Sequence, residues 1–576
     1  ESVEPIVFKT IINDKEHEYT ARFYDYLTTV GVQGAGKCGS LLLNNAGQII
    51  GMHVAGMKRG FYAGNGFYVV IYREFFDLEC LKKQLEMNSN FPNLKYYSTL
   101  PRAPYHSEFS KIKPSAIAPF AWKSNTQPCI QSSNDPRYQY DSSPLFDGAA
   151  TIGAPTVDPD ISILQIATQA VLEELICKLP VPSMRVPVSV GEAVSAQNHH
   201  NVEPMKLNTS AGLPLIIENP GKNLKSDFIK HEVKQNKHYV SFKNGYERHF
   251  WKLHNKRKHG VPPREPFWAH LKDERRKIPK LMSLGGTRVF SVAPLELVLT
   301  SRMFLLPFMD AFHADPVGLH HGIGLSPDSP MWTDFVEYHR SKGDCLIQLD
   351  FSKFSDSMPW DFVKAAFAIV KAYYLKYSMM TPEVEASIDT LCYEITRSLV
   401  CIGQHVYEIK NGTLQGHPIT SLINSLVNMV EQVYIWCVVT KMPASDFFKS
   451  CSLTVMGDDV VIAVPKVLTK IYNGQTIAAA FAAMKIQVTD ENKDINNIQK
   501  YQDFENLGFM GRSFQLHPFR CVYLAPADTE SIFDTPLWIQ RKDGPFKDAT
   551  YENVEQSLAL MYGHGPLVYE MYRALL

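Results

Sequence analysis

The chain has 576 residues, 45% of them hydrophobic and 20% charged, a balance that excludes a disordered or collagen-like polymer and allows roughly three or four domain-sized units. Its ten cysteines are scattered singly with no Cys-x-x-Cys pair, which argues against a zinc or disulfide framework and for a reducing, cytosolic compartment. The N-terminus "ESVEPIVFKT" has no signal-peptide layout. The longest apolar candidate, "SLVNMVEQVYIWCVV", is broken by Glu431 and Gln432, so no transmembrane segment is expected.

The first informative stretch is "GVQGAGKCGS", residues 31–40. Its glycines and Lys37 approximate a phosphate-cradling loop, but such a loop must open a helix. The chain continues instead as "SLLLNNAGQIIGMHVAG", two apolar runs flanking a turn, which predicts a β-hairpin. A thiol nucleophile at Cys38 fits better, since flanking glycines let backbone N–H groups face a developing oxyanion. Cys38 in Gly-x-Cys-Gly and His53 in "GMHVAG" resemble the picornavirus-like, chymotrypsin-fold cysteine proteases. The resemblance implies Cys38 as nucleophile and His53 in the substrate pocket. In that family the general base lies many tens of residues upstream, and only His17 precedes Cys38 here. The expectation is therefore a C-terminal protease fragment over 1–90 that does not cleave; an active polyprotein-processing cysteine protease is the alternative.

"REFFDLECLKKQLEM" reads as helical and "NSNFPN" as a break, placing a boundary near residue 90. Residues 95–160, rich in Pro, Ser and Asp, read as a loop-rich strap, and "ISILQIATQAVLEELICKL" as an amphipathic helix. Lys222 to Lys280 holds 17 Lys+Arg against 6 Asp+Glu, although the whole chain carries only −1. Phe228, Tyr239, Phe242, Tyr246, Phe250, Trp251, Phe267 and Trp268 interleave with these cations, a mixture suited to phosphates and bases.

Further on, the run Leu346 to Leu349 reads as a buried strand that delivers Asp350 at its end. In "SLTVMGDDVVIAV", two β-rich runs flank Gly457, predicting a hairpin with Asp458 and Asp459 at its tip. Carboxylates on two neighbouring strand ends could hold two Mg²⁺ ions for phosphoryl chemistry. Between these segments, "NGTLQGHPITSLINSLVNMVEQVYIW" runs from a glycine loop into a helix. Thr420 and Asn424, four apart, share a face from which small polar groups could bond a ribose 2′-hydroxyl.

Together these segments resemble, in order, the palm motifs of picornavirus-like RNA-dependent RNA polymerases, with a flavour of the iflaviruses and dicistroviruses. "NTSAGLPL", with Ser210 and Gly212, is similar to the segment at the template entrance. In "KDERRKIPKLMSLGGTRVFS", Lys272, Arg276, Lys280 and Arg288 fall where the family has cations over the incoming triphosphate. Gln415 and Gly416 match the loop before the ribose-reading helix, and Arg512 in "FMGRSF" the hairpin that grips the primer. Lys493 in "MKIQVTDENKD" falls at the family's proton-donating lysine. Five residues after Asp350, where a sugar-touching Asp is usual, stands Ser355, followed by Asp356, so either is a candidate for the ribose. Gln415 replaces the usual Ser, and Met510-Gly511 the usual Leu-Lys.

The resemblance implies an α+β right-hand polymerase of fingers, palm with antiparallel sheet and helical thumb, behind an all-β protease half-barrel fragment. The expected divisions are protease fragment and linker 1–90, strap and fingers 91–300, palm with inserted fingers helices 301–515, and thumb 516–576. It implies Asp350, Asp458 and Asp459 as ligands of Mg²⁺, with Mn²⁺ as a substitute. Implied partners are RNA template and primer, nucleoside triphosphates, a genome-linked protein primer and other viral replication proteins, at membrane-associated replication complexes in the host cytoplasm.

Overall fold

The structure, a computed structural model, describes residues 87, 90–235, 237–490, 497–540 and 546–576, and before residue 71 the backbone of five strands alone. The chain divides into two compact units, Glu1–Pro92 and Asn93–Leu576. In the first, strands β1 (Ile6–Ile12), β2 (Lys15–Phe23), β3 (Leu41–Leu43), β4 (Ile49–Gly56) and β5 (Gly66–Val70) form one antiparallel sheet in the order β1-β2-β5-β4-β3. The expected hairpin is present: Leu41 stands opposite Met52 and Leu42 opposite Gly51. Cys38 and the helix expected over "REFFDLECLKKQLEM" lie outside the described residues. His53 falls within β4, opposite Tyr68.

The second unit is α+β. One sheet runs β8 (Val289–Val292), β7 (Phe267–Leu271), β10 (Leu399–Ile402), β11 (His405–Ile409), β6 (Leu94–Thr99). The other is antiparallel and runs β12 (Ser452–Met456), β13 (Asp459–Val464), β9 (Cys345–Phe351), β14 (Val488–Thr489). Leu346 to Leu349 reads as a continuous apolar run broken only by Gln348 because both faces of this sheet are covered. On one face Leu346, Val461 and Ala463 pack with helix α3 (Met331–Arg340) through Trp332, Phe335 and Val336, and with Phe504, Phe509 and Phe514. The Trp332 and Phe514 rings stack with centroids 4.5 Å apart.

Helix α5 (Thr420–Thr440) packs on β12 and is enclosed by α1 (Ile161–Ile176), α4 (Trp360–Lys376) and α6 (Gly474–Ala483). By length and composition α5 could cross a membrane, but 83% of its most apolar window is buried inside the fold, so it is the core helix of the unit. Helix α1 starts where Asp160 accepts hydrogen bonds from the Ser162 and Ile163 N–H groups, as an N-cap does.

The strap before α1 is mostly loop, with short strands at Ile112–Pro114 and Thr126–Pro128. It is stitched to the C-terminal helices: Ile112–Pro114 pairs with Trp538–Gln540, and Trp122 Nε1 donates to the Phe533 carbonyl at 2.9 Å. Arg275 and Lys277, on the strand paired with Thr126–Pro128, reach Asp534 at 2.7 Å and Glu530 at 2.6 Å. The basic stretch departs from expectation. Phe228, Tyr246, Phe250 and Phe267 are buried and build core, with Phe250 and Phe242 centroids 5.3 Å apart. Of the interleaved aromatics, Tyr239 and Trp251 are exposed. The helix Tyr246–Lys258 must bury one face, and its aromatics recur at helical spacing for that reason. Buried Arg257 on this helix reaches Glu296 and Glu394, joining it to α2 (Leu295–His313) and to the helix Pro382–Thr396.

Glu431 is buried in the middle of α5, and burial pushes its carboxyl from 4.5 up to about 8. An acid whose folded pKa is raised binds its proton more tightly in the folded state. Its contribution is intact below about pH 4.5, is lost progressively as pH rises, and levels off above about pH 8. Glu431→Gln is expected to flatten this dependence. The gap between thermal midpoints at about pH 5 and about pH 8.5 should shrink relative to wild type; an unchanged gap would show that Glu431 does not titrate in this window.

Candidate active site

The site begins with a turn. β12 and β13 pair with Met456 opposite Asp459, leaving Gly457 and Asp458 as a two-residue hairpin loop. Gly457 has φ +63°, while Asp458 is not among the positive-φ residues, the signature of a type II′ turn with glycine first. A Cβ on Gly457 would meet nothing within 4 Å, so the glycine serves the backbone conformation and not a close approach. β9 lies on the other side of β13 with Leu349 opposite Val460, so one residue on Asp350 stands across from Asp459 on the same face. Asp458 is exposed at the turn; Asp350 and Asp459 are half-buried. The three aspartates singled out from the sequence therefore meet at one end of the sheet.

Helix α5 supports this end from beneath. Asn424 Nδ2 donates to Ser355 Oγ at 3.1 Å, and both residues are buried. Thr420, one turn earlier, donates its hydroxyl to the His417 carbonyl at 2.8 Å. Of the two ribose candidates after Asp350, Ser355 joins Asn424. Asp356 accepts from Thr151 Oγ1 at 2.8 Å, and burial holds its carboxyl above the ordinary carboxylate range. Asp356 is thus engaged with the strap, whereas Ser355 is engaged with α5. The two residues are neighbours on the short 3₁₀ turn Phe354–Ser357, so their side chains diverge.

The glycine loop before α5 is placed by contact. A Cβ on Gly416, at φ +91°, would fall 1.8 Å from the Ser291 carbonyl oxygen on β8. Gln415 beside it is exposed. His417 is buried, 3.0 Å from Ser301 Oγ, and burial lowers its pKa to about 3, so it stays neutral. Gly212, at φ +73°, lies against the Ala293 carbonyl, where a Cβ would come within 2.5 Å. Ser210 Oγ accepts from the Gly212 N–H at 3.2 Å.

The four cations of the basic motif do not act alike. Lys272 Nζ lies 2.9 Å from Glu274, and Arg288 meets the same carboxylate through Nε at 2.5 Å and Nη2 at 2.6 Å. Burial by itself would raise the Glu274 carboxyl, but these bonds outweigh it and hold it below the ordinary value. The Glu274 bond likewise raises the Arg288 pKa, and Asp458 adds to that shift, which places Arg288 within electrostatic reach of the hairpin tip. Arg276 instead donates to the Gly286 carbonyl and closes its own loop, and Lys280 is exposed on the short helix Ile278–Leu281. Phe509 to Arg512 exchange both backbone hydrogen bonds around Met510 (φ 54°) and Gly511 (φ 70°), a type I′ turn, and Arg512 Nη1 donates to the Ala525 carbonyl at 3.0 Å. Lys493 lies outside the described residues.

Three residues that build this end of the sheet and its cations escaped the sequence reading. Glu274 is hidden in a run of cations. Ser425 and Asn428 bond Gly457 from α5, the first accepting its N–H at 3.0 Å and the second donating to its carbonyl at 2.9 Å. A signal was present, since Asn424, Ser425, Asn428 and Gln432 form a polar stripe at helical spacing in a largely apolar helix.

Oxygen donors on an open turn suit a hard divalent cation. Among the described residues no group of three or more His, Cys, Asp or Glu could hold an ion by itself. The aspartates would supply part of a shell and leave the remainder to water and phosphate, as Mg²⁺ prefers.

Known proteins share the fold and much of the sequence order of this chain. A family profile described as viral RNA-dependent RNA polymerase matches residues 181–576. The chain is similar to the genome polyprotein of Deformed wing virus, 26% identical over 573 residues, covering 95% of this chain and 20% of that polyprotein. It is similar also to the replicase polyprotein of Drosophila C virus, 27% identical over 320 residues, covering 54% of this chain and 18% of that one. The chain thus spans about a fifth of the length of these relatives. Among solved structures it resembles the Sicinivirus 3Dpol RNA dependent RNA polymerase, with a TM-score of 0.67 over 84% of this chain and 93% of that one. At 19% identity that likeness speaks for the fold.

The two glycines of the site are expected to differ on substitution. Gly457→Ala meets only the strain of a positive φ, of order 1–3 kcal/mol. Gly416→Ala adds a collision with the Ser291 carbonyl and should lower the thermal midpoint by several degrees more. Calorimetry on both variants checks this, and equal losses would mean that β8 yields freely at Ser291.

Proposed function

The chain belongs to the viral RNA-dependent RNA polymerases, and from that premise we propose that Asp350, Asp458 and Asp459 form its catalytic centre for RNA synthesis on an RNA template. The observation that carries the proposal is the register, Leu349 opposite Val460 and Met456 opposite Asp459, which brings Asp350 to the end of the sheet that bears the Asp458 turn. Asp350 and Asp458 would be the principal holders of Mg²⁺, or of Mn²⁺ in its place, with Asp459 supporting. Bound there, the ion supplies Lewis-acid activation of the attacking 3′-hydroxyl and neutralises charge on the departing pyrophosphate.

The chain's own groups do the rest. Arg288 and Lys272 face a triphosphate as cations already gathered on Glu274, so the phosphates compete with one carboxylate for two charges. Arg276 and Lys280 would act at the edge of that site. Asn424, with Ser355 as its partner, is placed to contact the ribose hydroxyls. Ser210, Gly212, Gln415, Gly416 and Arg512 line the proposed path of template and primer, and Lys493 is the proposed proton donor to pyrophosphate.

A protein-linked primer, other replication proteins and a seat at membrane-associated complexes in the host cytoplasm belong to the same proposal, supported by the polyprotein relatives. So does the division into strap and fingers, palm and thumb. Active proteolysis is not the favoured reading, because the family match over residues 181–576 is to a polymerase.

Asp458→Ala is expected to abolish Mg²⁺-dependent extension of a primed RNA template while RNA affinity stays within about twofold, since phosphate contacts carry most of that affinity. Extension near the wild-type rate would sink the assignment. Ser355→Ala is expected to reduce the preference for ribo- over deoxyribonucleotides by about tenfold or more, and Asp356→Asn to leave it unchanged. The ratio of kcat/KM for the two sugars decides, and the reverse pattern would hand the ribose to Asp356.

A further inference from the structure

The polar stripe on α5 continues past the contacts that the ribose would use. Gly457 is held at both of its peptide groups: Ser425 Oγ accepts its N–H, and Asn428 Nδ2 donates to its carbonyl at 2.9 Å. One turn further, Gln432 Nε2 donates to Asn428 Oδ1 at 2.8 Å. All three side chains are fully buried.

The orientation of this chain is forced. The Gly457 carbonyl can only accept, so Asn428 must present its NH₂ group to it. The Asn428 oxygen then faces Gln432, which must present its own NH₂ group. The consequence falls on the far end: Gln432 Oε1 is buried with no hydrogen-bond partner. An orphaned buried acceptor costs on the order of 1–3 kcal/mol, and an apolar residue of similar shape would avoid that cost. A core helix selected for stability alone has no reason to place glutamine there. What Gln432 achieves is the alignment of Asn428, and what Asn428 achieves is the alignment of the peptide that precedes Asp458.

We propose that Asn428, oriented by Gln432 and assisted by Ser425, is a positioning residue for Asp458, fixing the turn so that its carboxylate meets the divalent cation at the required angle. Asp458 is exposed on a two-residue turn, and the peptide plane from which its side chain sets out is the one that α5 grips. Because the same helix carries Asn424 against Ser355, the ribose contact and the metal turn are mounted on one rigid element. This inference rests on the reading of Asp458 as a metal ligand.

The test uses the full chain and three variants, Gln432→Leu, Asn428→Ala and Asp458→Ala. Each is measured for Mn²⁺ binding by electron paramagnetic resonance, for single-turnover incorporation on a primed RNA template, and for thermal midpoint. Gln432→Leu is expected to keep or raise the thermal midpoint yet to weaken Mn²⁺ binding at least about threefold and slow incorporation, as loss of outer-shell support does. Asn428→Ala should weaken binding further, by about tenfold. The proposal is overturned if Gln432→Leu binds Mn²⁺ and incorporates nucleotide as wild type does, or if its losses only track a lowered midpoint. Wild type binding Mn²⁺ no better than Asp458→Ala overturns the metal reading beneath it, and the inference with it.

Discussion

The antiparallel pairing of β9 with β13 is the constraint on which the site depends. Its register is set by apolar residues on both faces, with Leu346 opposite Ala463 and Leu349 opposite Val460. A one-residue slip would turn each of these side chains to the wrong face, so the core enforces the register strongly. The aspartates inherit that precision. Asp350 lies one residue beyond the last of these pairs, and the turn at Gly457 begins where β12 and β13 run out. Carboxylates that would repel one another are held together by a hydrophobic sheet that has no other geometry available.

Helix α5 shows how a core element carries polar work. Most of its side chains are buried among α1, α4, α6 and β12, and burial of each large apolar one contributes about 1.5–3 kcal/mol. Against that surplus the helix bears Asn424, Ser425, Asn428, Glu431 and Gln432, all buried. Three of them, Ser425, Asn428 and Gln432, form a connected set on Gly457, and Asn424 separately reaches Ser355. Glu431 does not join it: its Oε2 has no partner, and it is buried as an acid with a raised pKa.

Electrostatics near the hairpin follow the same economy. A group of cations with no counter-charge would repel one another and splay outward. Glu274 gathers Lys272 and Arg288 on one carboxylate and leaves them within reach of the turn, where Asp458 already acts on Arg288. Such an arrangement is organised before a triphosphate arrives, so little reorientation is needed on binding. The neighbouring Arg275 and Lys277 serve another purpose, pairing with Asp534 and Glu530 and tying the strap side to the C-terminal helices.

The sequence by itself determined the class of fold and singled out the three aspartates, because each follows from local pattern. An apolar run ending in Asp350, a glycine turn before Asp458, and a helix with Thr420 and Asn424 four apart are all properties of neighbouring residues. The sequence misled where a local pattern had two readings. The aromatics among the cations suggested a stacking surface, yet Tyr246 and Phe250 are core, because a helix must bury one face whatever charges flank it. Only the tertiary structure told Ser355 and Asp356 apart, adjacent in sequence but bonded to Asn424 and to Thr151 respectively. It alone placed Glu274 between two cations and set Ser425 and Asn428 on either side of Gly457. Apart from Lys272 and Glu274, two positions apart, those contacts join residues from 14 to 205 positions apart, and the packing of one element on another sets them, which no local spacing records.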